Sequence, residues 1–510
     1  MKKGFIIRFL DRVERVGERL PDPLLLFVIA AALVVIASWI GHSIGLSVEH
    51  PGTHEKVGVV NLLSTEGIQR MFTDAVKNFV EFPPLGLVLV TMIGIAVAER
   101  GGFITAALRA TVHFVPKSLL TAALVFAGVN SSLAADAGYV VLIPLGAVVF
   151  AAVGRHPHAG LSAAFAGVAG GFTANLSITS LDPLLSGMTE LAAQMLRPEY
   201  TVSAASNWYF MIASTFLITI VGTVICERVV EPRLGPWHPD EQQETQAMKE
   251  RLSSREKRGL LWGTITFVAG IVGIALISVP EASVFRDAAG TLRPLEESIV
   301  VVFMLLFLFA GLVYAVVTRK IKSDKDLSTI ASDGLATMGS YIVLSFVMAQ
   351  FISYFGWSKL GIITAVNGAN FLQSLNLPGP ILLCLFVLVA AFIDLLVASA
   401  SAKWAIMAPV FVPMFMILGI APEATQLAYR IGDSISNMIT PMLSYVPLIL
   451  YALQRYRKDS SLGTLLSLML PYTMTLTIVW IVFMLVWLYA GIPLGPDSMP
   501  FMPVSQGATP

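Results

Sequence analysis

Asp182, Asp394, Arg430 and Asp433 each stand inside a stretch that is otherwise largely apolar: TANLSITSLDPLLSG, AAFIDLLVASA and LAYRIGDSISN. On insertion scales an ionised side chain at such a place costs about 2.5–3.5 kcal/mol before it finds a partner, so each is a candidate for work rather than for solubility. Arg430 and Asp433 are three residues apart, on one helix face and able to pair. Two readings stand: a pair that only neutralises itself, or one that opens to offer the guanidinium fork to a substrate carboxylate and the aspartate to a cation. Asp182 has no partner of opposite sign nearby in sequence, which makes it a candidate proton carrier. Its place before Pro183 equally suits an N-cap that restarts a helix. Asp394 can join Asp433 in a cation site, a candidate sodium site, while Lys403 can pair with Asp394 or extend toward water.

Two further stretches, NSSLAADAG and VASASAKWAIMAPVF, bring small and polar residues into the middle of long apolar runs. Ser131, Ser132, Ser399 and Ser401 offer hydroxyls there, and a helix broken at such a point offers free amides or carbonyls to an ion or an anionic group. The plain alternative for a membrane serine is a bond to the carbonyl one turn back. Trp404 follows the second cluster, either as a packing residue or as a plate on which an aromatic substrate stacks.

The elements that must carry these residues are membrane helices. Of 510 residues, 56% are hydrophobic and 13% charged, and the mean hydropathy is +0.77. The formal net charge is zero, so no global field draws nucleic acid. Cys226 and Cys384 are poorly placed for a disulfide and read as inert thiols. No phosphate loop, dinucleotide fingerprint or metalloprotease motif occurs, and no loop is large enough for a nucleotide-driven motor. Together these point away from an enzyme and toward transport driven by an ion gradient, with no cofactor beyond a coupling ion, H+ or Na+.

Basic clusters fix the cytoplasmic side at 2–19, 228–258, 319–325 and 455–458. The expected spans are 24–46, 84–98, 159–187, 208–227, 259–279, 299–317, 330–355, 422–451 and 465–489. Two stretches, 118–153 and 381–418, are too long for one span and are interrupted halfway; parity holds if each enters and leaves on one side. They read as re-entrant hairpins, the first from inside and the second from outside. The expected fold is therefore an all-α polytopic membrane protein, nine spans plus two inverted hairpins. Its parts are a cytoplasmic amphipathic segment 1–21 rather than a removable signal, a first repeat 22–228, a cytoplasmic loop 229–258, a second repeat 259–492 and an external tail 493–510. Each repeat holds a hairpin followed by a broken span, at 159–187 and 422–451. Setting Pro144 on Pro409 aligns Tyr139 with Trp404, and setting PLLS (183–186) on PMLS (441–444) aligns Asn175 with Asp433. Inverted repeats with discontinuous helices are the usual build of a secondary transporter, its site where the repeats meet.

In SASAKWAIMAPVFVPM, APEATQLAYRIGDSISNMITPMLSY and LDPLLSG the chain resembles the AbgT family of aminobenzoyl-glutamate transporters, and the resemblance runs over essentially its whole length. It implies a bowl-shaped homodimer in the bacterial inner membrane, with nine spans and two hairpins per protomer. It implies substrate-pathway roles for Asp182, Ser401, Trp404, Pro422, Arg430, Asp433 and Pro441. The family's sodium-site position is typically asparagine where this chain has Asp394, a departure that adds a negative charge and opens the choice of coupling ion.

The resemblance also implies uptake of p-aminobenzoyl-glutamate or export of sulfonamide antimetabolites, small aromatic carboxylates or sulfonamides in either direction. A sodium-coupled dicarboxylate carrier remains the alternative within the class, with little dependence on Trp404. A channel or a non-transporting membrane scaffold is the alternative outside it.

Overall fold

The computed structural model describes residues 23–502 except 50–54, 114–115, 135–137, 238–251, 281, 288–291, 293, 296–297, 337, 398, 441–442 and 444. The expectations for segment 1–21, for Pro441 and for the end of the tail therefore lie outside the described residues. The chain is a multi-pass helical membrane protein. Helix α1 (Pro23–Ser43) leads to a short two-stranded hairpin, Ser47–Glu49 with Lys56–Gly58, and two short helices. Then come α2 (Pro83–Gly101), α3 (Leu120–Asn130), α4 (Ile143–Ala152), α5 (Pro157–Gly170), α6 (Leu181–Gln194) and α7 (Trp208–Ile225). The second half holds α8 (Ser254–Ser278), α9 (Ile299–Val317), α10 (Asp324–Ala336), α11 (Gly339–Trp357), α12 (Leu360–Ser374), α13 (Gly379–Asp394), α14 (Ala400–Ile417), α15 (Pro422–Asn437), α16 (Val446–Gln454) and α17 (Leu462–Tyr489).

Six of the described helices are long and apolar enough to cross a membrane, and eight spans result if each of two bent pairs counts as one. Several segments differ from the sequence expectation. The stretch 330–355 is not one helix: α10 and α11 meet at a bend of 43°. Helix α12 was not expected at all, and it turns by 117° into α13. Its composition explains the omission, because LGIITAVNGANFLQS mixes two asparagines and a glutamine into a short apolar run. Helix α14, expected as half of a hairpin, is itself 18 residues and long enough to span.

Local signals explain where the helices around the polar stretches begin. Ser399 is extended (φ −76°, ψ 110°) and its hydroxyl accepts from the Ala402 amide, which caps α14. Pro422 occupies the first turn of α15, where a missing N–H costs nothing. Pro157 does the same in α5. Between α5 and α6 the residues 171–180 form no regular helix, and 438–445 part α15 from α16.

Helices α3 and α4 both pack on α5, and α13 and α14 both pack on α15. Small residues allow the close approach. A Cβ added at Gly167 in α5 would lie 2.5 Å from the Val125 carbonyl oxygen of α3. One added at Gly432 in α15 would lie 2.5 Å from the Val387 carbonyl oxygen of α13. The outer face is the reverse: α8 presents Leu261, Ile265, Val268 and Val272 outward, as a lipid-facing helix does. Gly167→Val and Gly432→Val are each expected to lower the thermal midpoint in detergent, by the equivalent of about 1–3 kcal/mol or more for overpacking against backbone; a midpoint equal to that of the native chain would contradict the close contacts.

Candidate functional site

Helix α15 is unusual in that all 16 of its residues are buried although its sequence, PEATQLAYRIGDSISN, is mostly polar. A polar helix without a solvent face must be surrounded by groups that satisfy it. Those groups come from both halves of the chain.

On one side stands the non-helical segment 171–180. Arg430 donates to the Thr173 carbonyl at 3.0 Å and forms an ion pair with Asp182 Oδ1. The other Asp182 oxygen accepts from the Thr179 amide at 2.6 Å and from its hydroxyl at 2.9 Å. Thr173 closes the ring, with its hydroxyl 3.0 Å from the Arg430 carbonyl and 2.7 Å from the Ser434 hydroxyl. The segment lacks a backbone ladder of its own, and these side chains replace it. Arg430 Nε is buried and makes no hydrogen bond among the described residues.

On the other side stands Lys403. Its ammonium pairs with Asp394 Oδ1 and lies 2.6 Å from Asp433 Oδ1, with all three side chains fully buried. Tyr429 donates to the Ala400 carbonyl at 2.5 Å, and Thr440 donates to the Asp394 carbonyl at 3.2 Å. These bonds hold the end of α13 and the start of α14 against α15.

The pairing thus differs from the one adjacency suggests. Arg430 and Asp433 share a helix but point to different partners: Arg430 reaches Asp182, 248 positions away, and Asp433 reaches Lys403. Asp182, without a partner in its own stretch, has one in space. Nor is it an N-cap, because α6 begins at Leu181 and Asp182 sits within its first turn. Lys403 pairs with Asp394, the first of its two readings, and does not extend to water.

Trp404 is fully buried. Its indole N–H donates to the Leu185 carbonyl at 3.2 Å and the Thr189 hydroxyl at 3.0 Å, and its ring stacks on Tyr429 at 4.5 Å between centroids. A substrate ring can replace Tyr429 there only if helices move. Ser399 and Ser401 are half-buried at the turn, 3.3 Å apart between hydroxyls. At the other turn Ser131 bonds the Gly128 carbonyl at 2.6 Å and Ser132 the Val129 carbonyl at 3.3 Å, the plain reading, and Ser132 also meets Asn175 Oδ1 at 2.9 Å. Asn175 Nδ2 is buried and makes no hydrogen bond among the described residues. Pro422 sets the start of α15.

Sequence reasoning missed a second polar chain. Tyr200 donates to both Glu423 oxygens, at 3.2 and 2.9 Å, and Asn207 donates to the Glu423 carbonyl at 2.9 Å. Gln426 donates to Asn207 Oδ1 at 3.2 Å and accepts from Thr189 at 2.6 Å, and Thr189 also meets Trp404. The recurrence of Glu423, Gln426, Arg430 and Asp433 at helical spacing in an otherwise apolar region was the available signal.

With this geometry in view, comparison with known proteins is decisive. A family model described as the AbgT putative transporter family matches residues 8–502. The chain belongs to the AbgT family. It is 38% identical over 491 residues to the p-aminobenzoyl-glutamate transport protein of Escherichia coli (strain K12), covering 96% of each chain. Two solved structures of the family superpose closely. The YdaH transporter of Alcanivorax borkumensis is 40% identical, with a TM-score of 0.88 over 93% of this chain and all of that one. MtrF of Neisseria gonorrhoeae, described within a class of antimetabolite efflux pumps, is 42% identical, with a TM-score of 0.92 over 97% of this chain and all of that one.

The AbgT chain described here ties its two halves together through the buried Asp182–Arg430 pair, and removing one partner of a buried pair costs about 3–5 kcal/mol. Arg430→Gln is expected to lower the thermal midpoint steeply, and Asp182→Asn added to it should recover much of the loss. Additive losses in this double-mutant cycle would show that the two do not interact.

Proposed function

We propose that this chain is an ion-gradient-driven secondary transporter of p-aminobenzoyl-glutamate and related aromatic folate-pathway compounds, able also to export sulfonamide antimetabolites. The names of its relatives supply the substrate class. The observation that carries the reading is the belt of buried charge in which Asp182, Asp394 and Lys403, near helix ends, meet Arg430 and Asp433 in the body of α15. Ionisable groups held inside a membrane are costly, and in transport proteins they mark substrate and ion pathways.

In this reading Arg430 exchanges Asp182 for the substrate carboxylate, a bidentate partner that its fork fits and to which its unused Nε is available. Trp404 separates from Tyr429 to receive the aromatic ring. Ser401, Ser131, Ser132 and Asn175 line the path, and Pro422 sets where the helix around it begins. We place α3 with α4 and α13 with α14 as re-entrant hairpins among nine spans, in a homodimer of the bacterial inner membrane with a cytoplasmic N-terminus.

Counterflow of labelled p-aminobenzoyl-glutamate in proteoliposomes, under separately imposed proton and sodium gradients, tests the function. Uphill accumulation driven by either gradient is the expected result, whereas flux only down the substrate gradient would indicate a channel. Asp433→Ala is expected to cut accumulation at least tenfold while the protein still inserts, since Lys403 keeps Asp394 as its partner. Undiminished transport by that variant would remove Asp433 from the site. Equal uptake of a simple dicarboxylate, unaffected by Trp404→Phe, would favour a dicarboxylate carrier.

A further inference from the structure

Two charges in this chain stand at the helix ends that oppose them. Asp394 is the last residue of α13, where the helix already presents partial negative charge, and Lys403 lies in the first turn of α14, where the charge is partially positive. Each would be better placed at the other's position. Both are fully buried, so neither gains from water, and what offsets the cost is their mutual bond and the second carboxylate, Asp433, on α15. The ammonium therefore sits where three helices converge and touches a carboxylate oxygen from each of the other two. Thr440 and Tyr429 add bonds to the backbone on either side of it.

Two converging carboxylates and nearby backbone carbonyls are the donor set of a hard cation such as sodium. Here the position between the carboxylate oxygens is taken by Nζ, and no group of three or more carboxylate, imidazole or thiolate side chains suited to a metal occurs among the described residues. The residues present do not fit a metal ion at this place while the lysine is extended into it.

We propose that the Lys403 ammonium is a tethered cation: it fills the position between Asp394 and Asp433 that a free monovalent metal ion would need, so this chain closes its second helical hairpin without sodium. The proposal deepens the transporter reading, on which its functional meaning rests, but the ion-binding claim concerns the folded protein alone. Formal charges of the cluster sum to −1 with Lys403 present and to −2 without it, so loss of the ammonium leaves two buried carboxylates facing one another. A sodium ion then becomes the replacement.

The test is thermal unfolding of the purified full-length protein, with sodium chloride exchanged for choline chloride at constant ionic strength. The native chain is expected to have one midpoint in both salts. Lys403→Gln is expected to unfold at lower temperature in choline and to recover by several degrees, saturably, in sodium. Lys403→Gln with Asp394→Asn restores the native charge sum and should ignore sodium. A saturable rise specific to sodium in the native chain overturns the proposal, as does a Lys403→Gln protein indifferent to sodium or unfolded in both salts. In proteoliposomes, native transport should be equal with and without sodium. Absence of all transport alongside the expected salt pattern would reject the transporter reading and leave the tethered cation standing.

Discussion

A charge buried in a low-dielectric interior must meet its opposite there, and most of the architecture around the site follows from that demand. The five ionised groups at the centre come from four helices, and none of the pairs they form lies within a single helix. The Arg430–Asp182 pair therefore clamps elements 248 positions apart, while Lys403 joins the consecutive helices α13 and α14 to α15. Helix α15 receives both clusters, Arg430 toward α6 of the first half and Asp433 toward α14 of its own half, and so joins the halves at one helix. Its polar character and complete burial have the same origin. Where helices approach too closely for side chains to intervene, as at Gly167 and Gly432, backbone contact supplies rigidity that charge pairing alone would not.

The same demand explains the irregular backbone. Residues 171–180 leave amides and carbonyls without helical partners, and in an apolar layer each is costly. Thr173, Thr179, Asp182 and Arg430 satisfy several of them directly, and Asn130 and Trp208 reach the Leu176 amide and carbonyl. Breaking a helix there is thus coupled to placing polar side chains there. The break and the candidate binding groups are one feature rather than two.

How much of this could be read in advance depends on distance along the chain. Membrane class and the start of a span at Pro422 are local properties, and local pattern carries them; the starts at Pro157 and after Ser399 are equally local, though the expected elements there began at 159 and ran through 381–418. Partner choice is not local. Adjacency suggested Arg430 with Asp433, but three residues on one helix face are also what lets two side chains diverge to different neighbours once those neighbours hold stronger claims. Asp182 has no partner of opposite charge in its own stretch because that partner is 248 residues away. Helix α12 was missed because its amides and asparagines dilute the apolar signal that hydropathy relies on. Pro441 was singled out in sequence and lies outside the described residues.

The three-membered cluster of Asp394, Lys403 and Asp433 also constrains descent. Neutralising the lysine strands two anions, and neutralising either aspartate removes half of what holds the ammonium, so a lineage passing through single substitutions crosses a deficit at nearly every step. Exchange is easiest when Lys403 and Asp394 alter together, leaving the sum of charges untouched. Such a trio is expected to be inherited as a block, its members drifting in concert or standing still.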